Sequence, residues 1–279
     1  MRMNYGKELK RIVGFIKTST DALKCTGAVI GLSGGVDSAL CAYLCADALG
    51  KENVLGISIP ERQSAPEDVV DAKLTADTLG IKLITHGMTP LLQLFDAYEH
   101  APKTKSGWRE LKEYYLPNST KAVTTPQEYI FYMKLRGRFY ILTHHAKLLN
   151  YIQCQTINRT EWELGFLDKF GDGCGDIAPI WHLYKTDVFG LAEYIGVPHR
   201  IISRPPTHGN SPILITEVEE MGITHEDTDK ILRNLPNDIP ACKADRILRM
   251  VINSELKRRL PLRLLPSPPF FSSEGLRDE

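Results

Sequence analysis

The sequence predicts an α/β fold, a parallel sheet flanked by helices in three α/β/α layers. Three observations carry this. Short apolar runs at residues 27–32, 54–59 and 81–85 alternate with helical patterns, and strands separated by helical crossovers pair in parallel. The runs are mostly apolar rather than alternating, as strands covered on both faces are. The first run breaks at Ser33-Gly34-Gly35 and resumes as a helix, which puts a glycine-rich turn at the strand's C-terminal end, where ligands of such sheets gather.

Residues 5–24 read as an amphipathic helix, with Leu9, Ile12, Val13 and Ile16 at helical spacing. After the first strand, a helix runs from 36 to about 49 and ends on Gly50 as its C-cap. The second strand, 54–59, opens into a loop at 60–66. A helix at 68–79 is closed by Gly80, and a third strand at 81–85 leads to a short helix at 90–98. Residues 100–126 are polar and aperiodic, fitting a lid, an insertion or a long surface loop. A long helix is expected at 127–150 and a fourth strand at 151–156. The stretch 170–179 is rich in Gly and Cys, so it can wrap a ligand closely, with Asp172 and Asp176 as anchors. A helix at 184–195 stops at Gly196 and Pro198. Residues 199–203 then lead into the extended Arg204-Pro205-Pro206-Thr207. Short helices at 217–221 and 227–235 precede a last helix at 241–256. The expected organisation is one domain, 1–262, with a Pro- and Ser-rich disordered tail at 263–279.

Basic and acidic residues balance at 34 each, so global charge argues for neither nucleic acid nor an anionic membrane as partner. The N-terminus lacks an apolar signal core, and no run approaches the roughly 18 apolar residues of a membrane span. The expectation is a soluble cytoplasmic protein. Six cysteines without a C-x-x-C pair suit reduced thiols. Cys41 and Cys45, one helical turn apart, fit either a two-ligand metal site or buried small side chains.

The chemistry concentrates at Gly31-Leu32-Ser33-Gly34-Gly35-Val36-Asp37-Ser38. Unpartnered N–H groups at a helix start, a nest of two glycines and flanking hydroxyls together favour a phosphate. The Gly-Lys-Ser/Thr ending of a Walker A loop is absent. Ser-Gly-Gly-x-Asp-Ser after a strand resembles the loop of the N-type ATP pyrophosphatases. That resemblance implies the adenine nucleotide alpha hydrolase-like fold, pyrophosphate held in the loop, and Asp37 reaching Mg2+.

A second group of residues narrows the resemblance. Thr156, Asn158, Glu161, Gly165-Phe166, Lys169-Phe170-Gly171-Asp172-Gly173, Pro179, Leu183, Lys185 and Pro206-Thr207 are similar to the NAD synthetase family. The resemblance implies an ATP-dependent ligase that adenylates the carboxylate of nicotinic acid adenine dinucleotide and amidates it with ammonia, releasing AMP and pyrophosphate. It further implies metal ligation by Asp37 and Glu161. ATP contacts would come from residues 31–38, Thr156, Lys185 and Thr207, and substrate contacts from Arg136, Lys169, Asp176 and Lys257. Asp172 is the candidate for handling the ammonium proton. The long helix would pair with its twin in a homodimer, and nitrogen would come from free ammonia or a separate partner.

Three places depart from the family pattern. Gln155-Thr156-Ile157-Asn158 replaces Gly-Thr-Gly-Asn or Gly-Thr-Asp-His, Tyr132 stands where an asparagine is usual, and Leu256 stands where a histidine is usual. Other classes kept open are an N-type ATP pyrophosphatase amidating a different small carboxylate and a nucleotide-binding relative without turnover. A tRNA-thiolating enzyme is disfavoured by the missing cysteine pairs and basic domain.

Overall fold

The structure, a computed structural model, describes residues 3–95, 98, 126–205, 218 and 222–259. Helix α1 (Tyr5–Ala22) precedes strand β1 (Ala28–Gly31), α2 (Val36–Leu49), β2 (Val54–Ser58), α3 (Pro66–Leu79), β3 (Lys82–Thr85) and the short α4 (Thr89–Leu94). The long α5 (Pro126–Leu149) leads to β4 (Ile152–Cys154), α6 (Arg159–Leu164), α7 (Lys185–Tyr194) and α8 (His199–Ile202). The chain continues through α9 (His225–Leu232), α10 (Ala241–Asn253) and a 3-10 turn at Glu255–Arg258.

The sheet order is β3-β2-β1-β4 and every pairing is parallel. From β1 the chain steps outward to β2 and β3, then α5 carries it back across the sheet to place β4 on the other side of β1. The strand order therefore reverses between β1 and β4, and the crevice beyond their C-terminal ends is the expected binding cleft of such a sheet. Ala28, Val29 and Ile30 of β1 are fully buried, as a central strand covered on both faces must be.

Helices α1, α2 and α7 cover one face, with Ile12, Ile16, Leu40, Leu44, Val188 and Leu191 in a shared core. Helices α4 and α5 cover the other through Met88, Leu92 and Ile141, packed on Val29, Leu55 and Ile57. Helix α2 is buried over most of its surface, which explains its Ala, Cys and Leu content and settles Cys41 and Cys45 as buried side chains. A smaller cluster of Leu164, Ile223 and Ile247 joins α6, α9 and α10.

Most expected elements stand within two or three residues of their predicted bounds. Four differences stand out. Helix α3 starts at Pro66, not Asp68, because proline suits the first helical turn, where its missing N–H costs nothing. Helix α4 ends at Leu94 rather than 98. Residues 199–203, given no element from the sequence, form a short helix at His199–Ile202, with Arg200 held by Asp71 at 2.6 Å. The last α-helix ends at Asn253 and tightens into the 3-10 turn, as helix ends often do. The segment 100–125, Thr207, most of 217–221 and the tail from residue 260 lie outside the described residues.

Candidate active site

The cleft begins with the turn after β1. Gly34 has φ +83°, and a Cβ there would meet the Asp68 carbonyl oxygen at 2.7 Å. Only glycine fits both the conformation and the space. Gly35 caps α2 without a side-chain hydrogen bond to the helix's first N–H groups. Ser38 Oγ donates to the Gly35 carbonyl at 2.9 Å and lies 3.1 Å from Ser33 Oγ. The Ser33 N–H donates to Ser38 Oγ at 3.3 Å, and the Gly35 N–H to Ser33 Oγ at 3.3 Å. The two hydroxyls thus brace the turn from within.

Asp37, in the first turn of α2, is bound from the neighbouring strand's side of the crevice. Asn158 Nδ2 donates to its Oδ1 at 2.8 Å, and Lys185 Nζ to its Oδ2 at 2.7 Å. Asn158 caps α6 with a reciprocal box. Its Oδ1 accepts from the Glu161 N–H, and its own N–H donates to Glu161 Oε2, both at 3.0 Å. One asparagine therefore touches both acids. Asp37 and Glu161, 124 residues apart in sequence, line the same cavity. Lys185 is 1 % exposed, and its buried ammonium is matched by the Asp37 carboxylate, the pairing a buried charge requires.

The cavity, about 260 Å3, is lined by Gly31, Leu32, Ser33, Gly35, Val36, Asp37, Ser38, Thr156, Glu161, Asp172 and Lys185 among the sequence candidates. Gly34 lies behind the lining, against Asp68. Gln155 and Ile157, the departures at the fourth strand's end, both line the cavity. Gln155 Nε2 also donates to the Asp172 carbonyl at 3.0 Å. Burial pushes the Asp172 carboxyl up to about 6, against the lowering effect of the hydrogen bond it accepts from the Asp168 N–H and of the Arg138 charge.

The four candidates for substrate contact do not line this cavity. Arg136 Nε donates to Asp168 Oδ2 at 2.7 Å, and Lys257 Nζ donates to the Gly165 carbonyl at 3.0 Å. Both cations flank the Tyr132 ring, at 5.8 and 5.9 Å from its centroid, so the structure brings these three together. Lys169 lies over Phe170. Asp176 accepts the Gln153 N–H at 2.8 Å, beside the parallel bridge of Cys154 to Ile177. There it ties the glycine-rich loop to the open edge of β4.

Asn158 is the site residue that sequence reasoning quoted but did not assign; Asn-x-x-Glu ahead of a helix was its signal. Arg138, Asp68 and Arg204, which also line the cavity, carry no local pattern that marks them. Arg204 pairs with Asp68 at 2.5 Å and Asp71 at 3.0 Å, holding the residues after α8 against α3.

A parallel sheet with a braced glycine turn and paired acids at its switch point defines an α/β nucleotide-binding class. Comparison with known proteins makes it more specific. The NAD synthase family profile matches residues 8–261, and the chain belongs to that family. It is 35 % identical over 274 residues to the NH(3)-dependent NAD(+) synthetase of Methanocaldococcus jannaschii, covering 93 % of this chain and 98 % of the relative. It is 36 % identical over 262 residues to the enzyme of the same name from Archaeoglobus fulgidus, covering 93 % and 96 %. Among solved structures, the NMN synthetase of Francisella tularensis superposes with TM-score 0.79 at 27 % identity, covering 94 % of this chain and 99 % of that one.

Proposed function

We propose that this protein is an ammonia-dependent NAD synthetase. It joins the carboxylate of nicotinic acid adenine dinucleotide to the AMP part of ATP, then lets ammonia displace AMP to give NAD. The observation that carries this is the convergence of Asp37, Glu161 and Lys185 on the turn at 33–38, in a chain that matches NAD synthetases over nearly all its described length. The family match weighs against the two alternatives, a different small acid and a relative without turnover.

In this reading ATP lies in the cleft with its phosphates on the turn, where the first N–H groups of α2 and the Ser33 and Ser38 hydroxyls face them. A carboxylate is a poor electrophile, and the mixed anhydride with AMP supplies a good leaving group. Attack on the α-phosphorus breaks its bond to the bridging oxygen, and the electron pair leaves with pyrophosphate. Lys185 neutralises charge growing on phosphate oxygens, largely by electrostatic preorganisation in a buried site. Thr156, on the cavity wall, would contact the nucleotide.

The donor set fits Mg2+. Asp37 and Glu161 offer carboxylate oxygens on one cavity wall, and magnesium commonly takes one or two carboxylates with phosphates and water completing its shell. Held there, the ion would supply positive charge to offset that of the phosphates. In the second half, ammonia attacks the acyl carbon and AMP departs. Asp172 takes the proton that ammonium must lose. Arg136, Lys169, Asp176 and Lys257 would meet the dinucleotide, with Tyr132 between two of the cations.

The reading extends to a cytoplasmic homodimer. Tyr140 and Leu148, 67 and 70 % exposed, lie on one stripe of α5, and Leu94 of the adjoining α4 is 77 % exposed, an apolar face that a second copy would cover. No described helix is long and apolar enough to cross a membrane. A reducing compartment suits the buried thiols of Cys41, Cys45 and Cys154.

The test is AMP and NAD production from ATP, ammonium, Mg2+ and nicotinic acid adenine dinucleotide. Nicotinic acid mononucleotide and simple acids are offered in parallel. Amide and AMP formed in equal amounts, with the dinucleotide turned over most efficiently, is the expected result. Preference for another acid would overturn the acceptor, and no AMP with any acid would overturn the reaction.

A further inference from the structure

We propose that Asp229 of α9 is a positioning residue, whose buried carboxylate locks the first turns of α6 and α7 in the register that brings Glu161 and Lys185 to Asp37. The proposal rests on the ligase reading above and adds a residue to it.

Asp229 is 2 % exposed and lies outside the cavity lining. Its Oδ1 accepts from Thr160 Oγ1 at 2.6 Å. Its Oδ2 accepts from the Thr186 N–H at 2.9 Å and from Thr186 Oγ1 at 2.7 Å. Thr160 Oγ1 in turn accepts the Lys185 N–H at 2.9 Å. Thr160 and Thr186 are each the second residue of their helix, α6 and α7. Two helix starts, each with partial positive charge and N–H groups in need of partners, are thus drawn onto one carboxylate.

The neighbours of these threonines give the arrangement its functional meaning. Thr160 is bonded in the chain to Glu161, and Thr186 to Lys185. One path runs from Asp229 through Thr160 to the Lys185 backbone, then along its side chain to Asp37. Another runs from Thr160 to Glu161, whose carboxylate meets Asn158, which meets Asp37. Helix α6 is six residues long, too short to hold its own direction, since helices of this length draw their stability from tertiary contacts. The carboxylate of Asp229 supplies such a contact one residue from Glu161.

A general packing role has a separate handle. Arg233, the C-cap of α9 and one turn after Asp229, pairs with Asp187 of α7. Replacing it loosens the same helix contact without touching Thr160, Thr186 or Lys185.

The experiment compares Thr160→Val, Thr160→Ser, Asp229→Asn and Arg233→Gln with the unaltered protein. It measures kcat and acceptor KM by AMP release, Mn2+ affinity in the presence of α,β-methylene-ATP, which is not cleaved, and the thermal midpoint. Thr160→Val and Asp229→Asn should each lower kcat about tenfold or more with acceptor KM within about twofold, the pattern of a lost transition-state arrangement. The same two should weaken Mn2+ binding about fivefold or more, because Glu161 is displaced from the register that a shared ion needs. Thr160→Ser, which keeps the hydroxyl, should stay within about twofold of the unaltered protein. Arg233→Gln should lower the thermal midpoint alone. The proposal is overturned if Thr160→Val and Asp229→Asn lose thermal stability only, or if Arg233→Gln matches them in kcat and Mn2+ affinity. Should Asp229→Asn fail to fold, the Thr160 pair decides. Should the unaltered protein release no AMP, the ligase reading fails and the Mn2+ titrations alone judge the register.

Discussion

Asp172 shows how a single residue's environment sets a pH dependence. Its carboxyl is buried, with its Oδ1 accepting the Asp168 N–H at 2.8 Å, and burial raises it to about 6. A raised carboxyl binds more protons folded than unfolded, so folding is favoured at low pH. That contribution is lost as pH rises from about 4 to about 6. The ceiling is about 3 kcal/mol, two pKa units at roughly 1.4 kcal/mol each. Asp172→Asn retains an oxygen for the Asp168 N–H and cannot ionise. Denaturant titrations at pH 4 and 7 should show the unaltered protein losing stability across that interval, relative to the variant. If Asp172 also takes the ammonium proton, the unaltered enzyme's activity should climb through an acid limb near 6 at fixed free ammonia. The variant should lack that limb and turn over more slowly. An identical pH profile in both would remove Asp172 from the chemistry.

The turn at 33–38 and helix α6 show how an element carries a site. Gly34 combines φ +83° with a neighbour that leaves no room for a methyl. Gly34→Ala should cost about 1–3 kcal/mol in denaturant midpoint and weaken ATP binding, because relief of the clash must move α3 or the turn itself. ATP affinity retained in the variant would mean that the turn does not hold phosphate. This element was readable in sequence, since both its glycines and its strand-to-helix setting are local. The capping box of Asn158 and Glu161 was readable for the same reason. Thr160, Thr186 and Asp229 were not, because nothing near 229 says that a helix 69 residues downstream of Thr160 returns to cap it. The helix at His199–Ile202 was not legible, because four residues are too few to show a helical period. The ammonium of Lys257 also donates to the Gly165 carbonyl beside Tyr132. Periodicity does not encode such a contact.

At the scale of the molecule, the reversal of strand order between β1 and β4 fixes where ligands go, while α5 decides what the sheet's other face meets. Its inward side packs Ile141 and Ala146 into the core over β1 and β4. Its outward side shows Tyr140, His144 and Leu148 at successive turns, next to exposed Leu94 of α4 and its C-cap Phe95. A side chain as apolar as leucine is about 1.5–3 kcal/mol better off buried, so this stripe favours association. Two charges introduced there would be placed in a dry interface, which is costly. Tyr140→Glu with Leu148→Glu should therefore convert a dimer to a monomer in light scattering at micromolar concentration. The thermal midpoint should then fall with dilution in the unaltered protein and not in the variant, as linkage between folding and assembly requires. If both proteins scatter as dimers, the pairing face lies elsewhere, and if both scatter as monomers, the chain does not pair. Arg136 is presented from the same helix, so, if the acceptor meets Arg136 and ATP the turn before α2, loss of pairing should raise the acceptor's KM more than that of ATP.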